Sequence, residues 1–178
     1  MMKLTDLKRV VGKGTKDDPA RLFLTEHDGT LYATNSYWLV KAERVAPLLA
    51  HYNLPSNQPG AYNVNGSVEP RDQEPPNVGG LLKGAESWPV LERLHAHGRP
   101  VFWPCPTGGY LAAFESSPFF RKGDGSDEPT PVALNSDYLA FLTTGLADPV
   151  FRQNGPRKAV AVFDGDDFVG LVMPVRLA

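Results

Sequence analysis

The chain has 178 residues and an apolar fraction of 42%, which suits one sizeable domain or two small ones. Its formal net charge of -2 gives no global attraction to nucleic acid or to an anionic membrane, so such binding requires a local patch. The lone Cys105 excludes an internal disulfide, and no apolar run reaches the roughly 20 residues that span a bilayer. Because the polar start "MMKLTDLKRV" has no apolar stretch behind it, we expect an intracellular, cytoplasmic protein without a membrane-embedded role.

The front half, residues 1–46, predicts a helix followed by antiparallel strands. The apolar residues recur at the three- to four-residue spacing of a helix: Leu4, Leu7, Val10 and Val11. Glycines at positions 12 and 14 end this pattern. The stretch "RLFLTEHDGTLYATNSYWLVKAE" then contains two strand-like runs around a hairpin signal at residues 27–29, and a third run at residues 37–41. The prediction is a short amphipathic helix and a meander.

The middle segment, residues 47–130, is less regular and holds most of the prolines and glycines. It predicts one strand near residues 61–64 and a short helix in "ESWPVLERLHAHG", despite the internal proline. "RPVFWPCPTGGYLAAFES" predicts a hairpin with its turn at residues 107–109. "RKGDGSDEPTP" is typical of an exposed connection. No function is assigned to this segment.

The back half, residues 131–178, repeats the order of elements in the front half. A strand at residues 131–134 precedes "NSDYLAFLTTGLADP", which has an Asn/Ser cap and a proline stop and predicts a helix. Strands follow at residues 150–153 and in a hairpin made of "KAVAVF", the turn "DGDD" and "FVGLVMPVRL". The predicted fold is α+β, one domain over residues 1–178 built from two halves, each a helix plus antiparallel strands.

Signs of catalytic or metal chemistry in the sequence are weak. Residues of zinc-ligand type lie near one another at Glu92, His95, His97 and Cys105. The two histidines are two positions apart, however, so a helix directs them to different faces, and a solvated helix end is the stronger interpretation. "DGDD" lacks the further oxygen ligands of a calcium loop, and "GKGTK" lacks the spacing of a phosphate loop. We therefore predict no enzyme activity, no cofactor and no metal site.

Three stretches carry a more specific signal. "FVGLVMPVRL" has the form of an apolar closing strand ending Met-Pro-x-Arg-Leu, and "LNSDYLAFLTTGL" contains the pattern Asn-x-x-Tyr-Leu. "LKRVVG" followed by "DGTLYATNSYWLV" is similar to a region with the pattern Ala-Thr-Asp-Gly-His-Arg-Leu, which Thr34 and Leu39 match and residues 35–38 do not. Together these stretches resemble the bacterial beta sliding clamp family, the processivity ring of the replicative DNA polymerase. "PPNVGGLL" is weakly similar to a linker of that family.

The resemblance implies a clamp-type fold and a shortened, single-domain, phage-encoded relative. It also implies a hydrophobic pocket for short peptides of replication proteins. The residues carried over to that pocket are Thr34, Trp38, Leu39, Met173, Pro174, Val175, Arg176 and Leu177. We expect Trp38 at the rim of this pocket. The alternative is that "LVMPVRL" is only a buried edge strand, which Pro174 suits because proline in a sheet belongs where no donor is needed.

In the family, helices that face DNA carry lysine and arginine for phosphate contacts. The corresponding DNA-binding residues here are Lys3, Lys8, Arg9 and Lys13. A solvated helix face explains these residues nearly as well, and the second helix has Asp137 and no basic residue.

Two functional hypotheses result. The first is a replication accessory of the processivity-factor type, which binds polymerase or clamp-loader peptides and surrounds duplex DNA non-specifically as a homo-oligomer. The second is a clamp mimic that binds host replication partners and inhibits or diverts them without encircling DNA. A ring requires several copies of a chain this short, whereas a mimic can act as a monomer.

Overall fold

The computed structural model describes residues 3–12, 20–64, 69–71, 74–90, 101–104, 110–114, 132–154 and 158–174. The chain divides into two compact units, Met1–Lys83 and Gly84–Ala178, called unit 1 and unit 2 below. Short helices and antiparallel strands occur in both units, which confirms the α+β class. The clamp-type domain over residues 1–178, with its boundaries at 46 and 130, stays a prediction.

Unit 1 combines a sheet with short helices. Its elements are α1 (Leu4–Val11), β1 (Arg21–His27), β2 (Thr30–Thr34), β3 (Trp38–Lys41), a 3-10 turn (Ala42–Val45), α2 (Ala46–His51), β4 (Gly60–Asn63), β5 (Glu69–Arg71) and α3 (Gly79–Leu82). The strands lie in the order β5-β4-β1-β2-β3, and each neighbouring pair is antiparallel.

Local sequence signals explain the start of unit 1. The apolar positions of α1 place Leu7, Val10 and Val11 in the core, which confirms the predicted helix. Asp28 and Gly29 connect β1 to β2 with φ angles of 49° and 73°. Two consecutive positive φ angles match the right-handed twist of the flanking strands, so the predicted hairpin is confirmed.

The middle segment differs from the sequence prediction at two places. α2 lies within the part predicted as irregular, begins with a proline in its first turn and buries Leu48 and Leu49. The helix predicted in "ESWPVLERLHAHG" does not begin at its first residue. Ala85–Ser87 forms a 3-10 turn and Trp88 is extended, because the residue before a proline avoids the helical region. The remainder of that prediction, from residue 91, lies outside the described residues.

Unit 2 also combines strands with a helix. Its elements are a 3-10 turn (Ala85–Ser87), β6 (Val101–Pro104), β7 (Tyr110–Phe114), β8 (Val132–Asn135), α4 (Ser136–Thr143), β9 (Pro149–Gln153), β10 (Val160–Asp164) and β11 (Asp167–Val172). The antiparallel orders are β6-β7-β8 and β11-β10-β9. The pairing of β6 with β7 confirms the predicted hairpin, whose turn at residues 107–109 lies outside the described part of the chain.

α4 is stabilised at both its start and its buried face. The Asn135 side-chain oxygen accepts hydrogen bonds from the backbone N–H groups of Asp137 (2.9 Å) and Tyr138 (3.2 Å), which is the predicted cap. Phe141 and Leu142 are buried. The predicted helix and its cap are therefore confirmed, but the helix ends at Thr143, before the predicted proline stop. Gly145 follows with a φ of 82°, and Pro149 already belongs to β9.

The closing hairpin places an apolar strand in the core. Gly165 has a φ of 61° in the turn between β10 and β11, and Val169, Leu171 and Val172 are buried. The register shifts after Val162, which indicates a bulge. The predicted strand is confirmed as far as Val172, where β11 ends. No helix in the described ranges is long and apolar enough to cross a membrane.

We expect the substitution Leu142→Ala to lower the free energy of unfolding by about 2–5 kcal/mol, because it leaves a cavity at a side chain that is 0% exposed. Leu146→Ala is the matched control, since Leu146 lies just after α4 and is only half-buried. Urea denaturation measures both. Equal losses for the two variants would contradict the assignment of α4's buried face.

Candidate functional site

The candidate site is the short turn between β2 and β3, residues 34–38, called the Tyr37 turn below. Thr34 pairs with Leu39 across the two strands, so only a few residues reverse the chain. Ser36 has a φ of 78°, which is uncommon for a residue with a side chain. Backbone strain of this kind persists only where surrounding contacts enforce it.

Side chains within the turn supply those contacts. The Asn35 Oδ1 accepts hydrogen bonds from the backbone N–H groups of Tyr37 (3.0 Å) and Trp38 (3.2 Å). The Thr34 hydroxyl donates to the carbonyl of Trp38 and accepts from the N–H of Ser36 at 3.0 Å. Asparagine and threonine favour such local bonds to nearby backbone. The turn is therefore ordered by its own polar residues.

Two further bonds fix the turn to α1. The Asn35 Nδ2 donates to the carbonyl oxygen of Val10 at 2.9 Å, and the Trp38 Nε1 donates to the same oxygen at 2.8 Å. Val10 lies in the last turn of α1, where backbone carbonyls have no partner within the helix. The Tyr37 turn thus caps the C-terminal end of α1 from a position 25 to 28 residues later in the chain.

The two aromatic residues of the turn have opposite environments. Tyr37 is 60% exposed, whereas Trp38 is 1% exposed. The expectation that Trp38 lies at the rim of a pocket is therefore wrong: its indole is part of the core and its N–H is bonded to α1. Tyr37 is the exposed aromatic side chain, a role that the sequence prediction missed.

The remaining predicted pocket residues belong partly to unit 1 and partly to unit 2. In unit 1, Thr34 and Leu39 are buried. In unit 2, Met173 and Pro174 are half-buried and follow the end of β11. Residues 175–177, the Val, Arg and Leu of the motif, lie outside the described residues. A pocket formed by both sets stays a prediction.

The basic residues predicted to contact DNA lie on and next to α1. Lys3 and Arg9 are exposed, and Lys8 is half-buried. Lys13 lies outside the described residues. The buried face of α1 is apolar, so the helix presents cations to solvent while its other face packs in unit 1. In contrast, α4 in unit 2 carries Asp137 and has no lysine or arginine.

Metal and acid–base chemistry finds little support in the described residues. No group of three or more His, Cys, Asp or Glu is placed to hold a metal among them. The residues of zinc-ligand type at Glu92, His95, His97 and Cys105, interpreted above as a solvated helix end, lie outside the described part of the chain. Burial raises the pKa of the phenols of Tyr32, Tyr52 and Tyr62 above their ordinary value, which moves them further from acid–base chemistry at neutral pH.

Unit 1 also has an open cleft of about 780 Å³ beside α2. Leu31, Leu49 and Leu54 contribute apolar surface to it, and its size is ordinary for a small-molecule site. Lys41 and Glu43 both line the cleft. Because their charges are opposite, the lining does not favour a ligand of either sign.

Comparison with protein-family models, with curated proteins and with solved structures finds no match to this chain.

We expect Ser36→Val to lower the free energy of unfolding by about 1–2 kcal/mol, because a β-branched side chain is poorly tolerated at a φ of 78°. Ser36→Gly is the matched control and should be no less stable than the starting protein, since glycine adopts this conformation without steric cost. Chemical denaturation measures both. A valine variant as stable as the glycine variant would contradict the strained geometry of the turn.

Proposed function

We propose that this protein is a sliding-clamp-like DNA replication accessory that binds short peptides of replication proteins. Two features support the proposal. The first is the resemblance of the β2–β3 region and the closing "LVMPVRL" stretch to the beta sliding clamp family. The second is the repeated order of elements, in which α1 precedes β1, β2 and β3 in unit 1, and α4 precedes β9, β10 and β11 in unit 2.

The single observation that carries the peptide-binding role is the ordered Tyr37 turn. An exposed aromatic ring on an otherwise polar turn is the kind of residue that anchors protein–protein contacts. The hydrogen bonds of Asn35 and Thr34 already order the backbone beneath it. Binding there loses little conformational entropy in the turn, so more of the contact energy appears as affinity.

The turn also fits the chemistry of the expected ligand. A peptide with leucine and phenylalanine anchors offers apolar side chains that pack against an aromatic ring, and its backbone offers donors and acceptors to the polar residues nearby. Tyr37 occupies the position where the family pattern has histidine, and Ser36 the position of glycine. Tyr37 therefore replaces Trp38 as the residue that we expect a bound peptide to contact.

We expect Tyr37→Ala to weaken binding of a clamp-binding peptide with leucine and phenylalanine anchors by at least about tenfold, the usual range for an aromatic anchor. Isothermal titration calorimetry measures the affinity. Leu81→Ala is the matched control, because Leu81 is another exposed apolar residue of unit 1, at 44%, and lies outside the turn. Equal weakening in both variants, or no binding heat with the unaltered protein, would contradict the proposed role.

For DNA we propose weak, non-specific binding through the cations of α1. Lys3 and Arg9 are exposed. Because two cations can neutralise only a few phosphates, we expect the affinity for DNA to be low. We expect the double variant Lys3→Gln/Arg9→Gln to reduce the slope of log affinity against log salt by about 2, since each phosphate contact contributes roughly 0.9.

Fluorescence anisotropy of a labelled short duplex across a salt series measures that slope. The control is Lys83→Gln/Lys158→Gln, which removes the same charge at exposed positions that are not part of α1. If the control lowers the slope as much as the α1 variant does, the binding is a general charge effect and α1 is not the DNA-contacting helix.

A second function, the clamp mimic, is favoured by one observation. α4 carries no lysine or arginine, so the helix in the repeated position lacks the charge that a DNA-lining surface needs. A mimic binds the same peptides as a monomer, whereas encirclement requires several copies of the chain. Multi-angle light scattering distinguishes them: a stable oligomer supports the accessory, and a monomer at all working concentrations supports the mimic.

A further inference from the structure

Two side-chain hydrogen bonds join the Tyr37 turn to the C-terminal end of α1. One carbonyl oxygen, that of Val10, accepts from both Asn35 Nδ2 and Trp38 Nε1. α1 has only eight residues, and Lys3 at its N-cap makes no side-chain capping bond. A helix this short is not stable by itself in water. Its order therefore depends on packing and on the cap that the turn supplies.

The dependence is mutual. The indole of Trp38 is buried and directed to α1, and Asn35 uses its amide nitrogen for α1 and its oxygen for the N–H groups of the turn. If the end of α1 moves away, both donors lose their acceptor, and buried polar groups without partners are costly. α1 and the turn thus share one set of bonds, and order in either supports order in the other.

We propose that α1 and the Tyr37 turn become ordered as one unit, so that a polyanion bound at Lys3 and Arg9 tightens the turn that presents Tyr37. Lys3 at the N-cap and Arg9 in the last turn of α1 are exposed, and the Val10 carbonyl in that last turn accepts the bonds from the Tyr37 turn. A ligand that favours the docked helix must also favour the ordered turn, because coupling between two sites is reciprocal. The peptide and DNA functions of unit 1 are then linked through Val10.

Two substitutions separate the contact to α1 from the turn itself. Asn35→Asp keeps the Oδ1 acceptor for the N–H groups of Tyr37 and Trp38 but removes the donor to Val10. Trp38→Phe keeps an aromatic ring and removes the Nε1 donor. Tyr37→Phe is the control, since it alters the same turn and leaves both donors in place.

The measurement is amide hydrogen exchange on the full chain, without any ligand. We expect the double variant Asn35→Asp/Trp38→Phe to accelerate exchange of the amides of residues 8–11 by about tenfold or more. Amides of β10 in unit 2 should keep their rates, which excludes global unfolding as the cause. Unchanged protection of α1 in the double variant would overturn the proposal.

The hydrogen-exchange measurement is then repeated with a short DNA duplex at low salt. This experiment rests on the proposed function, in which Lys3 and Arg9 contact phosphates. We expect the duplex to slow exchange of the Tyr37 and Trp38 amides in the starting protein and to lose this effect in the double variant. Protection of α1 without a change at the turn would overturn the coupling. A duplex that protects neither segment would overturn the polyanion step. No peptide is used, so failure of peptide binding is measured separately.

Discussion

Two side-chain hydrogen bonds, both accepted by the Val10 carbonyl oxygen, join α1 to the Tyr37 turn in unit 1. This oxygen lies at the end of α1, where an α-helix leaves its carbonyls without internal partners. Asn35 and Trp38 supply the missing donors, and in doing so they determine which aromatic residue of the turn is buried. Trp38 enters the core at the start of β3, and Tyr37, in the bend before that strand, is 60% exposed.

Local signals predicted much of the fold. The Asp28–Gly29 turn, the spacing of α1 and the Asn135 cap of α4 each act over a few residues, so the sequence shows them directly. α2 was missed because it has only six residues, too few for an apolar period, and contains a proline in its first turn. The helix predicted after residue 85 failed at Trp88, where the following proline favours an extended backbone.

The candidate site was less accessible to sequence reasoning. Thr34 and Leu39 match a family pattern, yet the pattern does not say which neighbouring side chain faces water. The exposed side chain is determined by the hydrogen bond from Trp38 to the Val10 carbonyl of α1. These residues are 28 positions apart, and a contact over that separation produces no periodic pattern in the sequence. The run Asn-Ser-Tyr-Trp does carry one usable signal: asparagine and serine favour turns, and turns lie at the protein surface, where a neighbouring aromatic side chain can be exposed.

We propose that replication peptides bind at the Tyr37 turn. The most direct measurement is a titration of the isotope-labelled protein with a clamp-binding peptide, followed by NMR of the backbone amides. We expect concentration-dependent shifts that are largest at residues 35–38 and extend to the end of α1, because the two segments share the Val10 bonds. Shifts confined to other parts of unit 1, such as the cleft beside α2, would contradict it.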